Sequence, residues 1–322
     1  MQEHKIRANY AVKMPRNRFI WMLALPFLLA TGARSDPSAP TPASTPAPMP
    51  ATDRIFGFMN RLPELINNDL PFLAPRGTYW FYARPSVGNP FQGKYFRLNG
   101  GMWVKATNSI EFTGGAQTYL WRDPNDNDAT RGGFYGVSTG VKYSHPLPGP
   151  GGAAMSAGLN FTTPVSRPPL VLVDGYRHTD PYLTFTRPIS ARLHLVGFAT
   201  IGADLLAHTS LPSNFGANQL HSNSLNCTLG ATREFRRFTA SLTVSGATTA
   251  LMSRHNLQVF NVNPRVIVPA KNIFPFLGTK LPHWHINLVG SAYAATGPDG
   301  RQTGASASVN VNFDSRSTRA AK

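Results

Sequence analysis

Apolar and polar residues alternate with a period of two along most of the chain after residue 77. Residues 238–246 are the clearest case: one register carries Phe, Ala, Leu, Val and Gly, and the other carries Thr and Ser. A period of two is typical of a β-strand, because successive side chains point to opposite faces. About twelve such segments occur between residues 78 and 313. The pattern predicts an all-β chain whose sheet has one apolar and one polar face.

Three features indicate that the apolar face meets lipid. The segments run about 9–13 residues, longer than most soluble strands and long enough to cross a bilayer when tilted. The apolar register is rich in Gly and Ala, which would fill a close-packed protein interior poorly. Aromatic residues gather near segment ends, as in the girdles of membrane barrels. Since backbone groups in hydrocarbon must all be paired, we expect a transmembrane antiparallel up-and-down β-barrel of about 12 strands over residues 77–314. A soluble secreted β-protein is the alternative.

The N-terminal part of the chain has a different composition. Residues 1–33 combine a basic start with an apolar run, Phe19–Ala30, and small residues after it, which predicts a secretory signal peptide. The run is too short to span a bilayer as a helix, although an uncleaved membrane anchor is the alternative. Residues 34–52 form a Pro-rich linker, and residues 315–322 a C-terminal tail. In residues 53–76 apolar positions recur at helical spacing, which predicts a short amphipathic helix. This segment could plug a pore, cover the barrel base or lie on a membrane, and ordinary packing against the barrel is the favoured interpretation.

Together these features resemble the bacterial outer-membrane β-barrel proteins as a class. The resemblance is carried by the signal peptide, the alternating strands and a last strand that ends in an aromatic residue, Phe313. The chain departs from the class in continuing past that residue with "DSRSTRAAK". The resemblance implies Sec-type export, location in the bacterial outer membrane, and contact with membrane lipid, lipopolysaccharide and the outer-membrane assembly machinery.

Connector lengths mostly alternate between long and short, as expected for outer loops and periplasmic turns. The rule fails twice: 253–255 is short where a long loop is due, and 271–282 is long where a turn is due. Either the strand count slips there, or the apolar segment 271–282 is an inserted element.

The chain carries 31 Lys and Arg against 15 Asp and Glu, a net charge of +16. These cations are scattered rather than gathered in a basic tract, so we expect no nucleic-acid partner. The single cysteine, Cys227, excludes an intramolecular disulfide.

No catalytic or metal site and no cofactor is predicted. His283 and His285 share a strand face, but two imidazoles near a strand end are better explained as interfacial residues than as a metal site. Residues 123–133 alternate acids as a calcium loop does but lack its distal Glu. His208 and Ser210 are the candidate pair for the alternative that the barrel is a lipid hydrolase.

The lumen register carries the candidate functional residues. The predicted pore-lining side chains are Arg97, Lys105, Glu111, Lys142, Arg192, Asp204 and Arg265. With Arg84 and Arg237 they predict a wet, positive interior, unless several lie among lipid phosphates at strand ends. We therefore expect a passive, porin-like channel for small solutes, anionic ones among them. A structural or accessory barrel without conductance is the alternative.

Overall fold

The structure, a computed structural model, describes residues 55, 58–66, 69–87, 95–122, 132–148, 152–165, 174–212, 220, 222–252, 256–281, 284–298 and 300–314. The predicted signal peptide, the Pro-rich linker, the C-terminal tail, His283 and most of the acidic loop 123–133 lie outside the described residues.

Twelve strands form one sheet. They are β1 Tyr79–Val87, β2 Tyr95–Lys105, β3 Ile110–Arg122, β4 Gly133–Pro146, β5 Ala154–Pro164, β6 Tyr176–Ser190, β7 Leu195–His208, β8 Ser224–Glu234, β9 Thr239–Thr248, β10 Gln258–Pro269, β11 Trp284–Gly297 and β12 Gly300–Asp314. Each strand pairs antiparallel with its neighbours in sequence, and β1 pairs with β12, where Phe81 lies opposite Phe313. The sheet therefore closes into an up-and-down barrel, which confirms the predicted fold class and strand number.

The two ends of the barrel differ. The connections after β2, β4, β6, β8 and β10 lie at the end where β1 begins and β12 ends, which we call the short-turn end. The opposite, long-loop end carries the other connections. Residues 270–281, the described part of the connection after β10, lie at the short-turn end and contain a 3-10 turn, Ala270–Asn272, and a helix, α2, Pro275–Lys280. The long connector is thus an inserted element between β10 and β11, and the number of strands predicted on either side of it is correct.

Apolar side chains point outward from the barrel and are exposed. Phe112, Phe134 and Ile201 expose 53%, 56% and 62% of their surface, and Leu229 and Leu242 expose half or more. So continuous an apolar exterior is unfavourable in water and is typical of a lipid-facing barrel surface. No helix within the described ranges is long and apolar enough to cross a membrane.

The inward register is polar or glycine at most positions, and some of its glycines allow close approach. An ideal Cβ on Gly101 would lie 2.4 Å from the carbonyl oxygen of Gly114 and 2.5 Å from the hydroxyl of Tyr82. The Tyr82 ring thus lies across the bare backbone of β2 and β3. This arrangement lets a large side chain lie along the wall of the lumen instead of crossing it.

Candidate functional site

The described residues between 55 and 74 (55, 58–66 and 69–74) lie inside the barrel at its short-turn end, and we call them the inner segment. Among these described residues, helical structure occurs at 55, 58 and 59 and in α1, Leu62–Leu65, which has Pro63 in its first turn. The apolar side chains of the segment form a buried cluster with apolar residues of the barrel wall. The cluster contains Ile55, Phe58, Met59, Leu62, Leu65 and Leu70 from the segment, with Ala154, Val196, Phe198, Ile267 and Val289 from the wall. Leu62 and Val196 have no exposed surface, so water is excluded from this contact.

Cations of the wall bind backbone carbonyls of the inner segment. Lys105 Nζ donates to the Phe72 carbonyl, and Lys142 Nζ donates to the Leu70 carbonyl at 3.2 Å. On the other side of the barrel, Arg265 Nη1 donates to the Ile66 carbonyl at 2.8 Å.

A buried carboxylate balances the two lysines. Glu111 Oε1 lies 2.9 Å from Lys142 Nζ, and the three side chains of Lys105, Glu111 and Lys142 are 1–2% exposed. Since these charges are removed from water, each must be paired or hydrogen-bonded for the fold to be stable. These three predicted pore-lining residues therefore form one cluster, and that cluster contacts the inner segment.

Polar wall residues hold the carboxylates of the inner segment. Asn312 Nδ2 donates to Glu64 Oε1 at 2.9 Å, and His285 Nδ1 lies 3.4 Å from the same oxygen. The described histidine of the predicted pair is therefore a partner of Glu64. Further along the segment, Asn160 Nδ2 donates to the Asp69 carboxylate at 2.9 Å.

A cavity of about 250 Å³ lies in the lumen and reaches the inner segment at Asp69. Most of its lining is hydroxyl, amide or carboxylate. The lining residues include Asp69, Tyr82, Trp103, Thr113, Gln117, Ser138, Thr139, Asn160, Thr162 and Asp180. Such a lining is compatible with water and with hydrogen-bonding solutes.

An acidic cluster lies in β6, β7 and the residues just before β6. His178 Nδ1 is 2.9 Å from Asp204 Oδ1, and His178 Nε2 is 2.8 Å from Asp174 Oδ2. Burial raises the pKa of the Asp174 carboxyl, but hydrogen bonds from His178 and the backbone N–H of Tyr176 outweigh it and hold that pKa below its usual value. One ligand atom each of His178, Asp180 and Asp204 lies within 4.8 Å of the others, a spacing that suits a divalent cation. Both ring nitrogens of His178 already contact carboxylates, so the cluster is internally paired.

The remaining predicted pore-lining residues lie apart from the lysine cluster. Arg97 is half-buried in β2 beside the hydroxyl of Tyr135, which is 3.0 Å from Asn99 Oδ1. Asp204 belongs to the acidic cluster. Arg192 lies in the exposed turn between β6 and β7 and does not meet the others.

Sequence reasoning missed several residues of the lumen. The apolar and polar alternation of the sixth strand is clear only from residue 181, whereas β6 begins at Tyr176 and includes His178 and Asp180. The alternation of Tyr176, His178 and Asp180 was the available signal, and Pro181 interrupts it. Glu64 and Asp69 were missed because nothing in a short amphipathic segment indicates that its carboxylates enter a lumen.

No known protein family matches the sequence, and no curated protein does. Solved structures match at the level of the overall fold. The KdgM porin in complex with disordered oligogalacturonate is 8% identical, with a TM-score of 0.42 over 73% of this chain and 98% of that one. The NanC porin is 9% identical, with a TM-score of 0.42 over 73% and 98%. An outer-membrane channel from Pseudomonas putida F1 is 8% identical, with a TM-score of 0.42 over 75% and 96%.

Proposed function

We propose that the chain is a channel of the bacterial outer membrane for small polar solutes. The observation that carries this proposal is a closed, apolar-surfaced barrel that encloses a cavity lined by hydroxyls, amides and carboxylates. Such a barrel gives polar solutes an aqueous route through hydrocarbon. Outer-membrane barrels place their short turns in the periplasm, so the short-turn end is the periplasmic end.

The lumen does not favour one sign of solute as simply as the sequence suggested. Lys105, Lys142 and Arg265 bind the inner segment, while Asp69 and Asp180 line the cavity. We therefore propose small polar solutes as the class and treat anion preference as a measurable property of the conducting state.

Recording from the purified, refolded chain in planar bilayers tests the proposal. We expect discrete conductance steps in potassium chloride, and swelling of proteoliposomes in small sugars or amino acids. Folding is checked in the same samples by the shifted migration of unheated barrel on gels. A folded chain that never conducts, with or without its inner segment, would contradict the proposal.

A barrel without conductance is the second candidate, and the inner segment favours it because it fills the periplasmic end.

A hydrolase has weaker support: His208 Nε2 lies 2.9 Å from the Tyr176 hydroxyl rather than from Ser210. The wild-type protein should therefore release no fatty acid from labelled phospholipid, and the Ser210→Ala and His208→Ala variants should give the same result.

We further propose that residues 1–33 direct Sec-type export, and that the outer-membrane assembly machinery and lipopolysaccharide are partners of the chain.

A further inference from the structure

We propose that the inner segment is a displaceable plug, a peptide ligand held in a site that the barrel builds at its short-turn end. Its release opens the channel. The inference rests on the proposed function and adds a mode of regulation to it.

The site recognises the main chain of the segment. Lys105, Lys142 and Arg265 each donate to a backbone carbonyl, and Ser156 Oγ donates to a fourth, that of Asp69. Ser144 Oγ accepts the N–H of Phe72 at 3.3 Å. Five wall side chains on four strands thus bind main-chain atoms of the inner segment, as a peptide-binding groove does.

An apolar anchor adds to these polar contacts. Phe58 and Leu62 of the segment expose 2% and 0% of their surface against a wall that includes Val196 and Ile267. Apolar wall residues here interrupt a lumen register that is polar or glycine at most other positions. They contact the apolar face of the segment and define the position at which it binds.

The barrel does not need the segment for its own closure. The strand ladder runs unbroken from β1 through β12 and back to β1, and the inner segment is not one of its strands. Behind the segment the wall carries Lys105, Glu111, Lys142 and Ser144, all side chains that water can solvate when the seat is vacant. A permanent core would be filled by apolar residues at these positions. The wall therefore suits both an occupied and a hydrated state.

A full-length double variant tests the plug. Phe58→Ala with Leu62→Ala removes the anchor and should raise the ratio of open to closed time about a hundredfold or more. The matched control, Leu229→Ala with Leu242→Ala, removes similar apolar volume from the lipid face and should leave gating unchanged. If the anchor variant and the wild type conduct equally, the plug inference is wrong, and the proposed channel function is unaffected.

A second measurement covers the case in which the double variant folds poorly. The barrel lacking residues 53–74 is refolded, checked by gel migration, and recorded before and after addition of a synthetic peptide of residues 53–76. We expect large, steady conductance that the peptide blocks from the periplasmic side and that a reversed-sequence peptide does not block. Conductance that the peptide leaves unchanged would overturn the binding site. A folded barrel that conducts in neither form would instead overturn the channel.

Discussion

Glu111 sits between two lysines in the wall of the barrel and is their buried counter-charge. Its Oε1 lies 2.9 Å from Lys142 Nζ, and Lys105 shares the same dry environment. In water such a trio would contribute little, but in a region of low dielectric the loss of one member leaves the others uncompensated. The stability of the wall behind the inner segment therefore depends on this carboxylate.

Glu111→Gln should destabilise the barrel by about 3–5 kcal/mol, because two buried cations then face each other without an anion. Glu234→Gln is the matched control, since Glu234 pairs with Arg61 at 3.4 Å with 24% and 40% of the two side chains exposed. It should cost about 1 kcal/mol or less. Urea unfolding in detergent micelles, followed by tryptophan fluorescence, measures both. Equal losses in the two variants would argue against a dry cluster.

Gly101 and Gly114 lie on adjacent strands but face opposite sides of the wall. A Cβ on Gly101 would meet backbone at 2.4 Å, whereas a Cβ on Gly114 meets nothing within 4 Å. Gly101→Ala should therefore cost about 1–3 kcal/mol through overpacking beneath Tyr82. Gly114→Ala should be neutral or slightly stabilising, because alanine restricts the unfolded chain. Thermal unfolding of the two variants decides the point, and similar melting temperatures would show that β2 and β3 relax.

The helix α2 has no buried residue, so packing against the barrel does not account for its position. Phe274 and Phe276 are 47% and 57% exposed, and Trp284 beside them at the start of β11 is 43% exposed toward lipid. Lys271 and Lys280 flank these apolar side chains. The apolar surface of the barrel thus continues onto α2, and the lysines beside it have the charge that lipid phosphates attract.

We therefore expect α2 to rest in the periplasmic leaflet. In a Cys227→Ser background, an environment-sensitive fluorophore on Phe276→Cys should emit at shorter wavelength and be quenched by spin-labelled lipid. The same fluorophore on Arg236→Cys, in the exposed turn between β8 and β9, should be quenched by aqueous iodide instead. Iodide quenching of both positions to the same degree would place α2 in water.

At the scale of elements, the sequence predicted the existence of the strands far better than the residues at which they begin and end. Alternation is a local property of the backbone, so β9 and β12 could be recognised from their own residues. The start of β6 could not, because Pro181 interrupts the pattern while the strand pairs on both sides of it. The inserted element after β10 was visible as a long apolar connector, but its assignment needed the strand pairing.

At the scale of the whole molecule, closure followed from the chemistry of lipid, since every backbone group in hydrocarbon needs a partner. The content of the lumen did not follow. Whether Lys105 and Lys142 face water or the inner segment depends on contacts between residues 33 and 72 positions apart in the sequence. Val196 and Phe198 were a signal in the sequence, because both are apolar residues in the inward register of β7. The plug itself had no sequence pattern that could be recognised.

The seating of the inner segment also sets the sign of the charge that a passing ion meets. While it is seated, Lys105, Lys142 and Arg265 are directed at peptide carbonyls, and Glu64 and Asp69 add two carboxylates to the lumen. When it leaves, the three cations stay on the wall and those carboxylates depart with it. Under the plug proposal, opening would then leave the lumen two carboxylates poorer, and the reversal potential in a salt gradient would shift toward anion selectivity as the conductance rises.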